Sequence, residues 1–158
     1  MGTHDALDRR MKAARHYSQL IVWKLAEDIR IEVFKLTAKP CFAADFRAKS
    51  QAEDAANSVG RNIAEGFGCT THAEFARFLE IARRSLNELH DILHGAQLKE
   101  YVQPSELTPV RRLSDRIYPA FSRLLAYLRS TPTPTPRKGQ EPKAKAAKDR
   151  AVKDLRSN

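Results

Sequence analysis

Residues 58–68 read SVGRNIAEGFG, and residues 73–89 read AEFARFLEIARRSLNEL. The first string closes a run in which Phe46, Ala48, Ala52, Ala55, Ala56, Val59, Ile63 and Ala64 recur near the 3.6-residue period, which predicts a helix over 45–65. Its apolar side is mostly small, so a partner backbone is expected to come close. Gly66 and Gly68 are expected to stop this helix by taking positive φ, and Thr71-His72-Ala73-Glu74 then has the form of a capping box. The next helix carries Phe75, Phe78, Leu79, Ala82, Leu86, Leu89, Leu93 and Ala96 on one face. Two helices joined by so short a turn pack side by side.

Upstream, Val22, Leu25, Ala26, Ile29, Val33 and Leu36 predict a helix over 17–36. Ile21, Trp23, Ile31 and Phe34 lie off that stripe, which marks them as candidates for an interface with another copy of the chain. Lys39-Pro40 biases the chain away from helix. Downstream, Val110, Leu113, Ile117, Phe121, Leu124, Leu125 and Leu128 predict a fourth helix starting near Ser105 or Thr108, with Pro119 expected to kink it. Residues 17–130 therefore read as an all-α domain, an antiparallel up-down four-helix bundle. Residues 1–16 read as a basic arm or a frayed helix. Residues 131–158 begin with an alternating Thr-Pro spacer and continue as a Lys/Ala-rich tail with too little apolar surface to fold alone.

At 158 residues, 42% hydrophobic, the chain has room for one core and no second ordinary domain. No apolar run approaches the roughly 20 residues of a membrane span. No apolar signal segment opens the sequence, and two isolated cysteines, Cys41 and Cys69, make no disulfide framework, so a cytoplasmic protein is expected. The net charge is +9, but residues 131–158 hold eight Lys/Arg against three Asp/Glu, and the rest of the chain 20 against 16. More than half of the excess lies in the tail.

No phosphate loop, GxSxG or HExxH is present, and no enzyme is expected. His90 and His94 share a helical face beside Asp91, but two ligands do not make a metal site. Cys69 at the start of a helix is a candidate for a lowered thiol pKa with His72 as its base, but no third member is evident. Hence no catalytic residue, metal ligand or cofactor is assigned. Ser58, Asn62, Glu65, Gly66, Ser85 and Glu88 read as structural, with Asn62 and Glu65 expected to supply acceptors to the first turn of the helix after Cys69. The candidates for nucleic-acid contact are Arg61, Arg77, Arg83, Arg84, Arg111, Arg112, Arg116 and Arg123 in the body, with Arg137, Lys138, Lys143, Lys145 and Lys148 in the tail. The opposing reading is a set of solvated faces balanced by Glu74, Glu80, Glu88 and Asp115. Nothing suggests base-specific readout.

The two opening strings resemble the signature of the four-helix-bundle proteins encoded in intervening sequences of 23S rRNA genes, roughly S-[IV]-P-S-N-I-A-E-G, a short turn, then F-x-x-F-L-x-I-A-x-G-S-L-x-E-L. The likeness runs over about residues 20–128. It implies a bundle assembled as a cyclic homo-oligomer of five chains, related to accessory proteins of diversity-generating retroelements that bind nucleic acid and a reverse transcriptase. This chain departs from the pattern where Glu53 and Asp54 replace basic residues, Cys69 an arginine and Gly60 a proline. Arg84 stands in place of a small residue where close helix contact is expected. The function expected from all of this is sequence-independent RNA or DNA binding by a non-enzymatic oligomer. The alternative is a protein-interaction scaffold that binds no nucleic acid.

Overall fold

The computed structural model describes Arg9 and residues 13–133. Among these residues all regular structure is helical: a 3-10 turn at Tyr17–Gln19, then α1 (Ile21–Thr37), α2 (Pro40–Ala44), α3 (Phe46–Phe67), α4 (His72–Leu98) and α5 (Thr108–Ser130). The N-terminal arm before residue 13, apart from Arg9, and the tail from residue 134 lie outside the described residues. No helix among the described residues is long and apolar enough to cross a membrane.

The four long helices form a closed ring of contacts: α1 packs on α3 and α5, and α4 packs on the same two. The apolar stripes predicted from periodicity are the buried faces, and Val33, Ile63, Leu79, Leu86, Leu89, Ile117 and Phe121 are fully enclosed between them. The closest pairing is α3 with α4, where Ala52, Ala55, Ala56 and Val59 leave room for the larger side chains of the partner.

Two expectations need correction, and one short helix joins those expected. Leu20 takes an extended backbone (ψ 135°), so the first helical segment is split into a 3-10 turn and α1. Lys39 is extended (ψ 140°), as expected for a residue before proline, and α1 has ended at Thr37; Pro40 then opens a new short helix. Proline at the first helical position forfeits no hydrogen bond, and α2 turns fully buried Phe42 against the Tyr101 ring, 5.8 Å away, closing one end of the core. Phe46, assigned to the apolar stripe of α3, is 79% exposed at its first residue, held out by the bend at Asp45. Through Pro119, α5 continues as one helix.

The α4–α5 connection, which carries Glu100 at φ 59°, is pinned to the α1–α3 corner. Asp45 caps α3 through the Ala48 N–H (3.0 Å) and accepts from Lys99 (3.0 Å) and the Tyr101 hydroxyl (3.1 Å), while Lys39 donates to Glu106 at 2.6 Å. These partners, the Ala48 amide first, hold the Asp45 carboxyl down at about 2.

Candidate nucleic-acid interface

The signature residues lie at the α3–α4 seam. Asn62 Nδ2 donates to Ser58 O (2.8 Å) and Ser58 Oγ (3.0 Å), and Ser58 Oγ meets Ser85 Oγ across the seam at 2.9 Å. Asn62 and Ser85 are buried, so this network satisfies polar groups that water does not reach. Capping of α4 by Asn62 and Glu65 is not what occurs. Thr71 is the N-cap, its Oγ1 accepting from Glu74 N at 3.2 Å and donating to the Glu74 carboxylate at 2.9 Å. Glu65 and Glu88 are exposed.

Gly66 also acts differently from its expected role. It is a helical residue of α3, and Gly68 takes φ −78°, so the turn uses no positive φ at either glycine. A Cβ at Gly66 would stand 2.6 Å from Phe75 Cδ2 and 2.8 Å from Phe78 Cβ. Close helix contact is the reason for this glycine. Arg84, expected to intrude on such contact, is exposed, and the seam is made by Ser85 beside it. Glu53, one of the acidic departures, accepts from Thr37 Oγ1 at 2.6 Å, which ties α3 to α1.

All eight candidate arginines of the body are exposed. Among the described residues none of them lies within 4 Å of a carboxylate, whereas Arg30 pairs with Glu27 and Arg129 with Glu80. Glu74 is engaged by Thr70 and Thr71, and Glu80 by Arg129, so two of the acids expected to balance the set are committed elsewhere. The eight do not converge on one surface. Arg112, Arg116 and Arg123, at i, i+4 and i+11, share one face of α5, turned away from the edge at which Ser114 and Tyr118 meet α4. Arg77 and Arg84 share the outward face of α4, Arg61 stands on α3, and Arg83 and Arg111 flank the α4–α5 groove. The tail candidates Arg137, Lys138, Lys143, Lys145 and Lys148 lie outside the described residues.

That groove is a polar concavity of about 340 Å³, lined by Asn87, His90, Arg111, Ser114, Asp115 and Tyr118. His90 Nε2 meets Ser114 Oγ at 2.8 Å, and Ser114 Oγ donates to Val110 O at 2.8 Å. Because a carbonyl only accepts, the serine proton is spoken for and Nε2 must be the donor to Ser114. Burial, and then the Arg111 guanidinium, push the His90 pKa down against the opposing pull of Asp115. The Tyr118 hydroxyl donates to Asn87 Oδ1 at 2.6 Å, and burial raises its pKa. A smaller hollow of about 140 Å³, shared by His90, His94 and Arg111, adjoins it.

The Cys69 thiol is pushed up rather than down, by burial first and then by Glu74 and Glu65, and Sγ donates to Glu65 O at 3.5 Å. The expected activation fails because burial, and then the two carboxylates, disfavour the thiolate. His72, its proposed base, instead gives Nδ1–H to Thr131 O at 2.9 Å.

The family described as 23S rRNA-intervening sequence protein matches residues 18–122. The chain belongs to that family. Among curated proteins none matches the sequence. The span shared with the intervening sequence proteins holds the Ser58–Asn62–Ser85 seam and the whole His90 groove, and stops just short of Arg123. Asn87, Ser114 and Tyr118 are groove residues that the sequence reading did not single out. The available signal was Ser114, a hydroxyl on the apolar stripe of α5 that has to find a partner once buried.

Of the interface candidates, Ile21, Ile31 and Phe34 are exposed, while Trp23 is half-buried near Gly60 and Tyr17. Arg30 reaches Asn57 of α3 and lies over the Phe34 ring, which places Phe34 on the α3 edge of α1. Ile21 lies on a different side of the helix.

Proposed function

We propose that this intervening sequence protein is a non-enzymatic, cytoplasmic, antiparallel up-down four-helix bundle that assembles as a cyclic homo-oligomer of five chains and binds RNA or DNA without regard to sequence. Eight exposed arginines with no carboxylate within 4 Å among the described residues are the observation that carries this reading. Such cations gain most from phosphates, and repetition around a ring multiplies weak contacts. In that role the protein is an accessory component of a ribonucleoprotein, with a nucleic-acid-processing protein such as a reverse transcriptase as the partner class. The Lys/Arg-rich tail adds a further electrostatic contact. The apolar edge of α1, with Ile31 and Phe34 exposed, supports self-assembly and equally suits the second reading, a protein scaffold.

Binding of mixed-sequence oligonucleotides measured by fluorescence anisotropy over a series of salt concentrations separates the two. Log K is expected to fall linearly with log salt, with a slope of about −0.7 per single-strand phosphate neutralised. Absence of binding at low salt, or an affinity indifferent to salt, refutes the nucleic-acid reading.

A further inference from the structure

The nucleic-acid reading leaves open whether the protein tells RNA from DNA, and the α4–α5 groove bears on that question. His90 is fixed there as a particular tautomer. Ser114 Oγ spends its proton on Val110 O, so the imidazole must donate from Nε2, and neutral imidazole then carries a lone pair on Nδ1. That Nδ1 has no hydrogen-bond partner among the described residues, yet it is not a buried unsatisfied atom, which leaves it open to solvent. Within the described residues, the sole side-chain polar atom both buried and unpartnered is Arg30 Nε, on another face of the protein. Burial and the neighbouring Arg111 keep the ring neutral, so the lone pair persists at neutral pH.

The surroundings supply complementary chemistry. Arg111 uses one N–H on Gln97 Oε1 (3.1 Å) and has no carboxylate within 4 Å among the described residues. Its remaining N–H groups and its charge are available to a phosphate. Asn87 Oδ1 is taken by the Tyr118 hydroxyl, which leaves the Asn87 amide protons as donors. A fixed acceptor beside a free guanidinium, at the mouth of a hollow of about 340 Å³, matches a sugar hydroxyl next to its phosphate.

We propose that the groove between α4 and α5 is a subsite for one ribonucleotide of a single-stranded RNA, with Arg111 on the phosphate and His90 Nδ1 accepting from the ribose 2′-hydroxyl. Of the groups that distinguish RNA from DNA, this hydroxyl is the one a lone acceptor reads. The inference rests on the nucleic-acid reading and adds a preference that general phosphate contacts lack.

The test compares the full chain with RNA, DNA and 2′-fluoro strands of one mixed sequence, by anisotropy at fixed salt. RNA is expected to bind about two- to tenfold more tightly than DNA, the worth of one net hydrogen bond, with the 2′-fluoro strand behaving as DNA. His90→Leu removes the acceptor and is expected to abolish the preference, bringing RNA affinity down to that for DNA. Arg111→Gln weakens binding to all three. Equal affinity for RNA and DNA, or a preference that survives either 2′-fluorination or His90→Leu, overturns the subsite and leaves general binding standing. No binding by any strand overturns both. Should His90→Leu not fold, the 2′-fluoro strand decides alone.

Discussion

Replacing Gly66 by alanine adds one methyl group where α3 and α4 meet, and the geometry sets two effects against each other. Glycine in a helix is worse than alanine by about 0.5–1 kcal/mol, which favours the variant, though less so in a final turn. Against this, the new Cβ would lie 2.6 Å from Phe75 Cδ2 and 2.8 Å from Phe78 Cβ. Phe75 is 5% exposed and packs edge-on against Phe67 at 6.2 Å, so turning its ring breaks an aromatic pair. Phe78 Cβ is fixed to the backbone and moves only if α4 moves. Overpacking of this kind costs about 1–3 kcal/mol. The net expectation is a loss of about 1–2 kcal/mol, or roughly 3–10 °C in Tm for a domain of this size. Gly95→Ala is the control: nothing lies within 4 Å of its would-be Cβ, and it is expected to stabilise by about 0.5–1 kcal/mol. Gly60→Ala, with Trp23 Nε1 at 3.8 Å, should behave like Gly95→Ala. Thermal unfolding followed by circular dichroism at matched protein concentration reads all three. A Gly66→Ala variant as stable as the parent would show that the signature glycine is not there for helix contact.

At the same seam, Asn62→Ala should cost about 1 kcal/mol by removing the donor to Ser58, whereas exposed Glu65→Ala should stay within about 0.5 kcal/mol; denaturant titration distinguishes them. The Asp45 carboxyl titrates at about 2 when folded, against an ordinary value of 3.8, so its contribution is complete above pH 3.8 and is lost as pH falls from there towards 2. Asp45→Asn keeps a capping side chain and should flatten the acid slope of stability in that window; an unchanged slope would show that the Ala48, Lys99 and Tyr101 contacts do not set it. Light scattering should report a cyclic oligomer of five chains that Phe34→Asp dissociates, and a monomer at micromolar concentration would remove the assembly from the proposal.

Helix positions were legible because each long helix presents one apolar stripe, and the burial of Val33, Val59, Leu86 and Ile117 follows directly from spacing. What periodicity does not encode is how close two stripes come. Gly66 therefore read as a stop signal, although the physical demand on it comes from Phe75 and Phe78, which lie in another helix. Lys39-Pro40 read rightly as the end of a helix, but the short helix that Pro40 opens stayed hidden for the same reason. A local rule weighs the missing N–H and not the pocket that Phe42 fills. The groove was half legible. His90 and Arg111 stood out as chemistry-bearing residues, but the tautomer of His90 is set by Ser114 and Val110 on α5, and no spacing within α4 reveals that.

The Ser58–Ser85 contact has a mechanical consequence for the pairing it joins. A face built from Ala52, Ala55, Ala56 and Val59 is nearly uniform along its length, so α3 sliding by one turn past α4, about 5.4 Å, would meet much the same apolar surface and lose little dispersion energy. The hydroxyls are what such a slip cannot reproduce. It would part Ser85 from Ser58, and a buried polar group left without a partner costs about 1–3 kcal/mol. The Ser58–Ser85 contact, with Gly66 seated against Phe75 and Phe78, thus serves as the index mark of an otherwise near-uniform rail, and holds every residue of α4, the His90 groove included, at one setting.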